Sequence, residues 1–78
     1  IIYPNPSTDG RINVVFDEGN AVRDISVQDM SGRVVKKISG VTNSNIQIEN
    51  LTPGMYTIRV FERTTGAQTV QKIVVNKR

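Results

Sequence analysis

Leu51-Thr52-Pro53-Gly54-Met55-Tyr56 is the stretch on which the fold turns. Pro53 fixes its own φ, Gly54 gives the chain freedom immediately afterwards, and Tyr56 opens a segment in which apolar and polar residues alternate. In β-sandwiches a Tyr at the start of a strand can return its hydroxyl to the backbone a few residues upstream, locking the corner between two sheets. Tyr56 is spaced to do this, and Leu51 would then plug the end of the core. The alternative is an ordinary core Tyr in a hairpin.

Working outward, the same two-residue period recurs along the chain. Ile12, Val14 and Phe16 share one face of a strand, as do Ile25 and Val27, Ile46 and Ile48, and Tyr56, Ile58 and Val60. Phe61 has the opposite parity to the last set. Near the end, Ile73 and Val75 continue the face of Gln71, while Val70, Lys72 and Val74 point the other way. Turn-forming residues separate these segments at Pro4 to Gly10, Asp17 to Asn20, Ser31-Gly32, Ser39 to Asn45, Asn50 to Gly54 and Thr64 to Ala67. No helix-period segment interrupts them. About seven strands, each with an apolar face, cannot bury those faces in one open sheet, whereas two sheets packed face to face can. The expected fold is therefore all-β, an immunoglobulin-like antiparallel β-sandwich of about seven strands, with residues 1–78 forming a single unit.

Composition narrows what such a fold can do. There is no Cys and no His among the 78 residues, so disulfides are excluded and the commonest zinc and copper ligands are missing. Packing has to hold a domain of a size that often relies on a staple. No apolar run approaches the roughly 20 residues of a membrane-spanning helix. The formal net charge of +3 slightly favours anionic partners, although its scattered cations also suit solvated strand faces and edge protection. The first residue, Ile1, is not Met and no leader-like segment opens the chain, so the sequence reads as the tail of a longer protein.

Three further constellations carry local information. Tyr3-Pro4-Asn5-Pro6 holds two prolines one residue apart, which predicts a stiff, extended segment suited to a sheet edge or a first strand. Asp29-Met30-Ser31-Gly32-Arg33 reads as a tight β-turn in which Gly32 takes a positive φ and Asp29 accepts hydrogen bonds from turn amides. Gln71-Lys72-Ile73-Val74-Val75 is a terminal strand apolar on both faces. At a sheet edge it would offer free amides and carbonyls for strand addition by a partner.

The order of these pieces, from Tyr3-Pro4-Asn5-Pro6 and Gly10 through the turn at Asp29 to Leu51-x-x-Gly54-x-Tyr56 and Lys72-Ile73-Val74-Val75, resembles the type A C-terminal sorting domain of the type IX (Por) secretion system over nearly the whole chain. The resemblance implies the extreme C-terminus of a protein exported by a Gram-negative bacterium of the Bacteroidota. Such a domain is a non-catalytic address, covalently linked to an N-terminal cargo. It would pass through the periplasm, be recognised by the outer-membrane translocon, and usually be cleaved by a sortase-like peptidase as the cargo reaches the cell surface or the medium. The residues that the resemblance associates with translocon recognition are Asp29, Gly32, Arg33, Lys72, Ile73, Val74 and Val75. Tyr3, Pro4, Asn5, Pro6, Leu51, Gly54 and Tyr56 match the structural motifs. The sequence departs from the family pattern in carrying three residues, Asn76 to Arg78, after the final motif.

Other functions find less support in the residues. No catalytic set, metal site or cofactor motif is recognisable, since none of the acids forms a cluster and no base accompanies them. The basic residues neither gather with aromatics nor match a nucleic-acid-reading motif. The alternative reading is a fibronectin-like spacer, adhesion or carbohydrate-binding module of a cell-surface protein. Phe61 is the one candidate for an exposed sugar platform, because the other aromatics mostly read as core.

Overall fold

A computed structural model describes residues 2–16 and 21–76. The expected turn at Asp17 to Asn20, the first residue Ile1 and the basic pair Lys77-Arg78 lie outside the described residues. Seven strands form two antiparallel sheets. One sheet has the order β1-β2-β5, made of Ile2–Tyr3, Ile12–Val15 and Asn45–Ile48. The other has the order β4-β3-β6-β7, made of Val34–Val41, Arg23–Asp29, Gly54–Glu62 and Gln68–Val75. The sandwich anticipated from the alternation is the fold.

Alternation also fixes which side chains meet in the middle. Ile12, Val14 and Ile48 from the small sheet close against Ile25, Val27, Ile58, Val60, Ile73 and Val75 from the large one, and Leu51 seals one end. The register explains this layering: Val27 lies opposite Ile58 and Ile25 opposite Val60 across β3 and β6, so each inward row is apolar from strand to strand. Burying such side chains is worth roughly 1.5–3 kcal/mol apiece, the main favourable term in a fold with no covalent staple.

Two local features depart from the expected pattern. The turn placed at Ser39 to Asn45 is shorter, because β4 continues through Ser39 and Gly40 to Val41, which is buried. Its register slips against β3 on either side of the Ile25–Val27 segment, and such bulges let an edge strand carry extra residues while twisting away from further pairing. Tyr3 is 48% exposed, so it does not share the core role expected of most aromatics.

The corner at Leu51 to Tyr56 forms as expected. The Tyr56 hydroxyl donates to the Thr52 carbonyl at 2.5 Å and lies 3.0 Å from the Thr52 hydroxyl, while its ring is buried against the core. Gly10, distant in sequence, supports the same corner. Its carbonyl accepts from the Leu51 amide at 3.1 Å, its φ is 78°, and a β-carbon there would sit 2.6 Å from the Leu51 carbonyl oxygen. Only glycine fits that approach.

The segment between β1 and β2 crosses from the small sheet to the outer edge of β7. Both Tyr3-Pro4 and Asn5-Pro6 are cis, and the segment carries Ser7 into a parallel bridge with Val75. The Ser7 amide donates to Val74 O at 2.8 Å, and Ser7 O accepts from the Asn76 amide at 2.7 Å. The Asn5 side chain extends the same ladder: Nδ2 donates to Lys72 O at 3.2 Å and Oδ1 accepts from the Val74 amide at 3.1 Å. Three outward-facing groups of the edge strand, and the Asn76 amide just beyond it, are thereby paired. Replacing Asn5 by Ala removes two of these bonds at a net cost of about 1 kcal/mol. Hydrogen exchange followed by NMR should then show faster exchange of the Val74 amide, with the β6-facing amide of Ile73 still protected; unchanged Val74 protection would contradict the strap.

Candidate functional site

The Asp29 turn is built by its own carboxylate. Oδ1 accepts from the Ser31 amide at 3.0 Å, the Ser31 hydroxyl at 2.6 Å and the Arg33 amide at 3.0 Å. The backbone closes the loop, with the Gly32 amide donating to Asp29 O and the Asp29 amide to Arg33 O. Gly32 has φ 88°, as the sequence led us to expect. The Arg33 guanidinium lies 3.3 Å from Asp29 Oδ2. Hydrogen bonding by the Ser31 hydroxyl, then by the turn amides, and the nearby Arg33 charge hold the Asp29 carboxyl below the ordinary carboxylate range. The acid is thus engaged within the turn, which leaves Met30, 79% exposed, as its protruding side chain.

The turn and the final strand come together although about forty residues separate them in sequence. β3 and β7 both flank β6, so Gln28, Thr57 and Lys72 fall side by side in one row. Met55 and Val74 form the next row, beside the turn. A shallow hollow is lined by Gln28, Asp29, Met30, Gly32, Met55, Thr57 and Lys72. A second one, on the other side of the turn, reaches Thr52, Pro53 and Gly54 and shares Met30 and Met55 with the first. The two methionines therefore stand between the turn, the tyrosine corner and the last strand.

The four residues of the final motif divide between surface and core. Lys72 is exposed and Val74 is half-buried on the outer face, but Ile73 and Val75 are 0% and 1% exposed and pack inside the sandwich. Their side chains offer no surface to a partner of the folded domain. The last strand does lie at a sheet edge, but from Lys72 to Asn76 its backbone is closed by Asn5 and Ser7 and is not free for strand addition. Contact at this strand runs through side chains on the sheet face. Met55 and Thr57 were absent from the sequence-derived site, yet their parity opposite Tyr56 and Ile58 was the signal that places them outside.

Phe61 is half-buried on the same outer face, between Asp24 and Gln68 on neighbouring strands. Among the described residues no group of three or more acids comes together in a way that could hold a metal ion. At the far end of the large sheet, Arg63 makes a two-pronged contact with Asp24 at 2.9 and 2.7 Å. That hydrogen bonding, followed by the Gly40 amide, lowers the Asp24 pKa, and Asp24 in turn raises that of Arg63.

The family model described as the secretion system C-terminal sorting domain matches residues 1–76. The chain belongs to this family. The resemblance drawn from the ordered motifs thus holds, and membership of this sorting-signal family ties the domain to type IX secretion, with the cell surface or the extracellular space as the destination. No curated protein matches the chain. Among solved structures, it is similar to PorZ of Porphyromonas gingivalis, described as an essential bacterial surface component of the type IX secretion system. That likeness has a TM-score of 0.76 at 15% identity, covering 96% of this chain and 11% of PorZ, and it concerns the fold.

Depressed carboxylate pKa values make the sorting domain sensitive to acid. The folded pKa of Asp24 and Asp29 lies below the unfolded value of about 4, so their contribution is complete above that value and is lost as pH falls through the folded values. Urea denaturation between pH 6 and 2 should show stability dropping below about pH 4. A double Asp24→Asn, Asp29→Asn variant should show a shallower drop; an equally steep one would contradict the assignment.

Proposed function

We propose that this domain is the address by which a covalently linked N-terminal cargo is exported through the type IX outer-membrane translocon, and that the folded surface around the Asp29 turn is what the translocon reads. In this reading the chain is the C-terminal tail of a secreted protein and meets the translocon from the periplasm. A sortase-like peptidase then removes it as the cargo reaches the surface or the medium. The observation that carries the proposal is the convergence of two sequence-distant motifs of a sorting-domain family on one hollow, where Gly32 and Met30 meet Lys72. The occurrence of the same fold in PorZ, a surface component of that system, supports a module adapted to this machinery.

The roles divide according to burial. Asp29 shapes the turn, Gly32 allows its tight path, and Arg33, Lys72 and Val74 present chemistry to a partner. Ile73 and Val75 act through the core, as do Leu51 and Tyr56. Asn5 and Pro6 lead the chain into the strap that holds β7 in place, while Tyr3, Pro4 and Gly54 set the path of the backbone around them. Nothing in this arrangement calls for a cofactor, since recognition by shape and charge is the whole task.

A fusion of a signal peptide, a periplasm-stable passenger and residues 1–78, expressed in a host with type IX machinery, tests the reading. The passenger should appear at the cell surface or in the medium, and removal of residues 72–78 should leave it in the periplasm. Because that deletion also removes core side chains, Asp29→Ala provides the second variant: export should fall severalfold while a thermal melt still shows a cooperative fold. Periplasmic retention of the intact fusion would sink the proposal.

A further inference from the structure

We infer that the outer face of the four-stranded sheet is a docking surface for an acidic protein surface with an apolar centre; this rests on the sorting reading above and names the chemistry of its partner. Register assigns the residues of that face. Lys37, Ser26, Arg59 and Val70 form one row across β4, β3, β6 and β7, and Val34, Gln28, Thr57 and Lys72 form the next. Met55 and Met30 continue it towards the turn. Val34, Val70, Met55 and Met30 are exposed by 48%, 53%, 44% and 79%.

The unpaired charge on this face has one sign. Asp24 is the only acid that the strand parity turns outward on it, and it is already paired with Arg63. Lys37 adds a weaker attraction to the same carboxylate. Lys37, Arg59 and Lys72 take part in no salt bridge among the described residues. The outer face of the three-stranded sheet is different, presenting Tyr3 beside Asn13, Asn13 opposite Gln47 and Val15 opposite Asn45, with no charged side chain in these rows. One face of the sandwich is thus basic and apolar, and the other is largely neutral and polar.

The arrangement favours a protein partner over a lipid headgroup. Lys37 and Arg59 stand on either side of β3, about 10 Å apart at ordinary strand spacing, and Lys72 lies on a third strand, so the cations are dispersed across the face rather than gathered in one cluster. Ser26 lies between them and Val70 beside Arg59, and the one aromatic residue on the face, Phe61, is half-buried, so the exposed Trp or Tyr anchor typical of an interfacial membrane binder is lacking. Carboxylates spread over a partner surface, with apolar groups among them, match this pattern. The broad dimensions of the sandwich, 37 by 23 Å, are enough for an interface of standard size, about 800 Å² on each side. Desolvated apolar contacts would supply affinity, while the charges would steer encounter and orientation.

The export fusion provides the test. A triple Lys37→Glu, Arg59→Glu, Lys72→Glu variant breaks no salt bridge of the fold, so its melt should stay cooperative while export falls at least tenfold. Met55→Ser with Val70→Ser should also lower export. A control carrying Asn13→Glu, Asn45→Glu and Gln47→Glu on the opposite face should be exported normally. Full export of the charge-reversed variant, or an equal loss in the control, overturns the inference while leaving the sorting reading intact; failure of the unaltered fusion overturns the sorting reading itself. The 78-residue chain should not co-float with phosphatidylglycerol vesicles. Charge-dependent flotation would identify the face as a lipid surface and overturn the protein partner.

Discussion

Ser7 is the one buried polar residue among those described, and the closure of the sandwich depends on how it is satisfied. Its hydroxyl donates to the Arg11 carbonyl at 2.7 Å, and its amide and carbonyl join the outer edge of β7. An unpaired polar group in that position would cost more than an ordinary hydrogen bond contributes, so its bonding fixes where the chain must run. It must leave the small sheet at β1, lie along the last strand, and turn back at Gly10 into β2. The result joins the beginning of the described chain to its end without a disulfide.

That connection changes what the final strand can offer. An edge strand apolar on both faces is an aggregation hazard, and the strap covers its C-terminal half with backbone and side-chain partners. Ile73 and Val75 are drawn inward, while Lys72 and Val74 remain on the outer face beside Met55 and the Asp29 turn. Folding therefore creates the proposed recognition surface. In an unfolded chain the turn and the last strand would be two short unrelated segments.

Much of the architecture was legible in the sequence, because β-structure writes its orientation as a period of two. The inward positions of Ile12, Val14, Ile25, Val27 and Ile58 followed from alternation, and the Tyr56 corner followed from a tyrosine opening a strand directly after the Pro53-Gly54 turn. The Asp29 turn was readable because a carboxylate two residues before Ser31 and four before Arg33 can accept from both amides. What remained hidden depended on contacts distant in sequence. No local pattern announces that the Asn5 side chain would continue the ladder of β7, so whether the last strand was covered, and by what, was not legible. The methionines were half legible: parity turns Met55 outward, but only the strand register brings Met30 beside it. The slips in β4 likewise reflect pairing with β3 rather than the propensity of Ser39 or Gly40.

The central claim is that a folded surface, composed of the turn and one sheet face, is the signal. Titration of the isotopically labelled chain with detergent-solubilised type IX translocon, followed by amide NMR, addresses it most directly. Selective broadening is expected at Gln28, Met30, Met55, Thr57 and Lys72, with Asn13 and Gln47 on the opposite sheet unaffected. Broadening confined to Asn13 and Gln47, or loss of dispersion throughout the chain as the domain unfolds on binding, would contradict it.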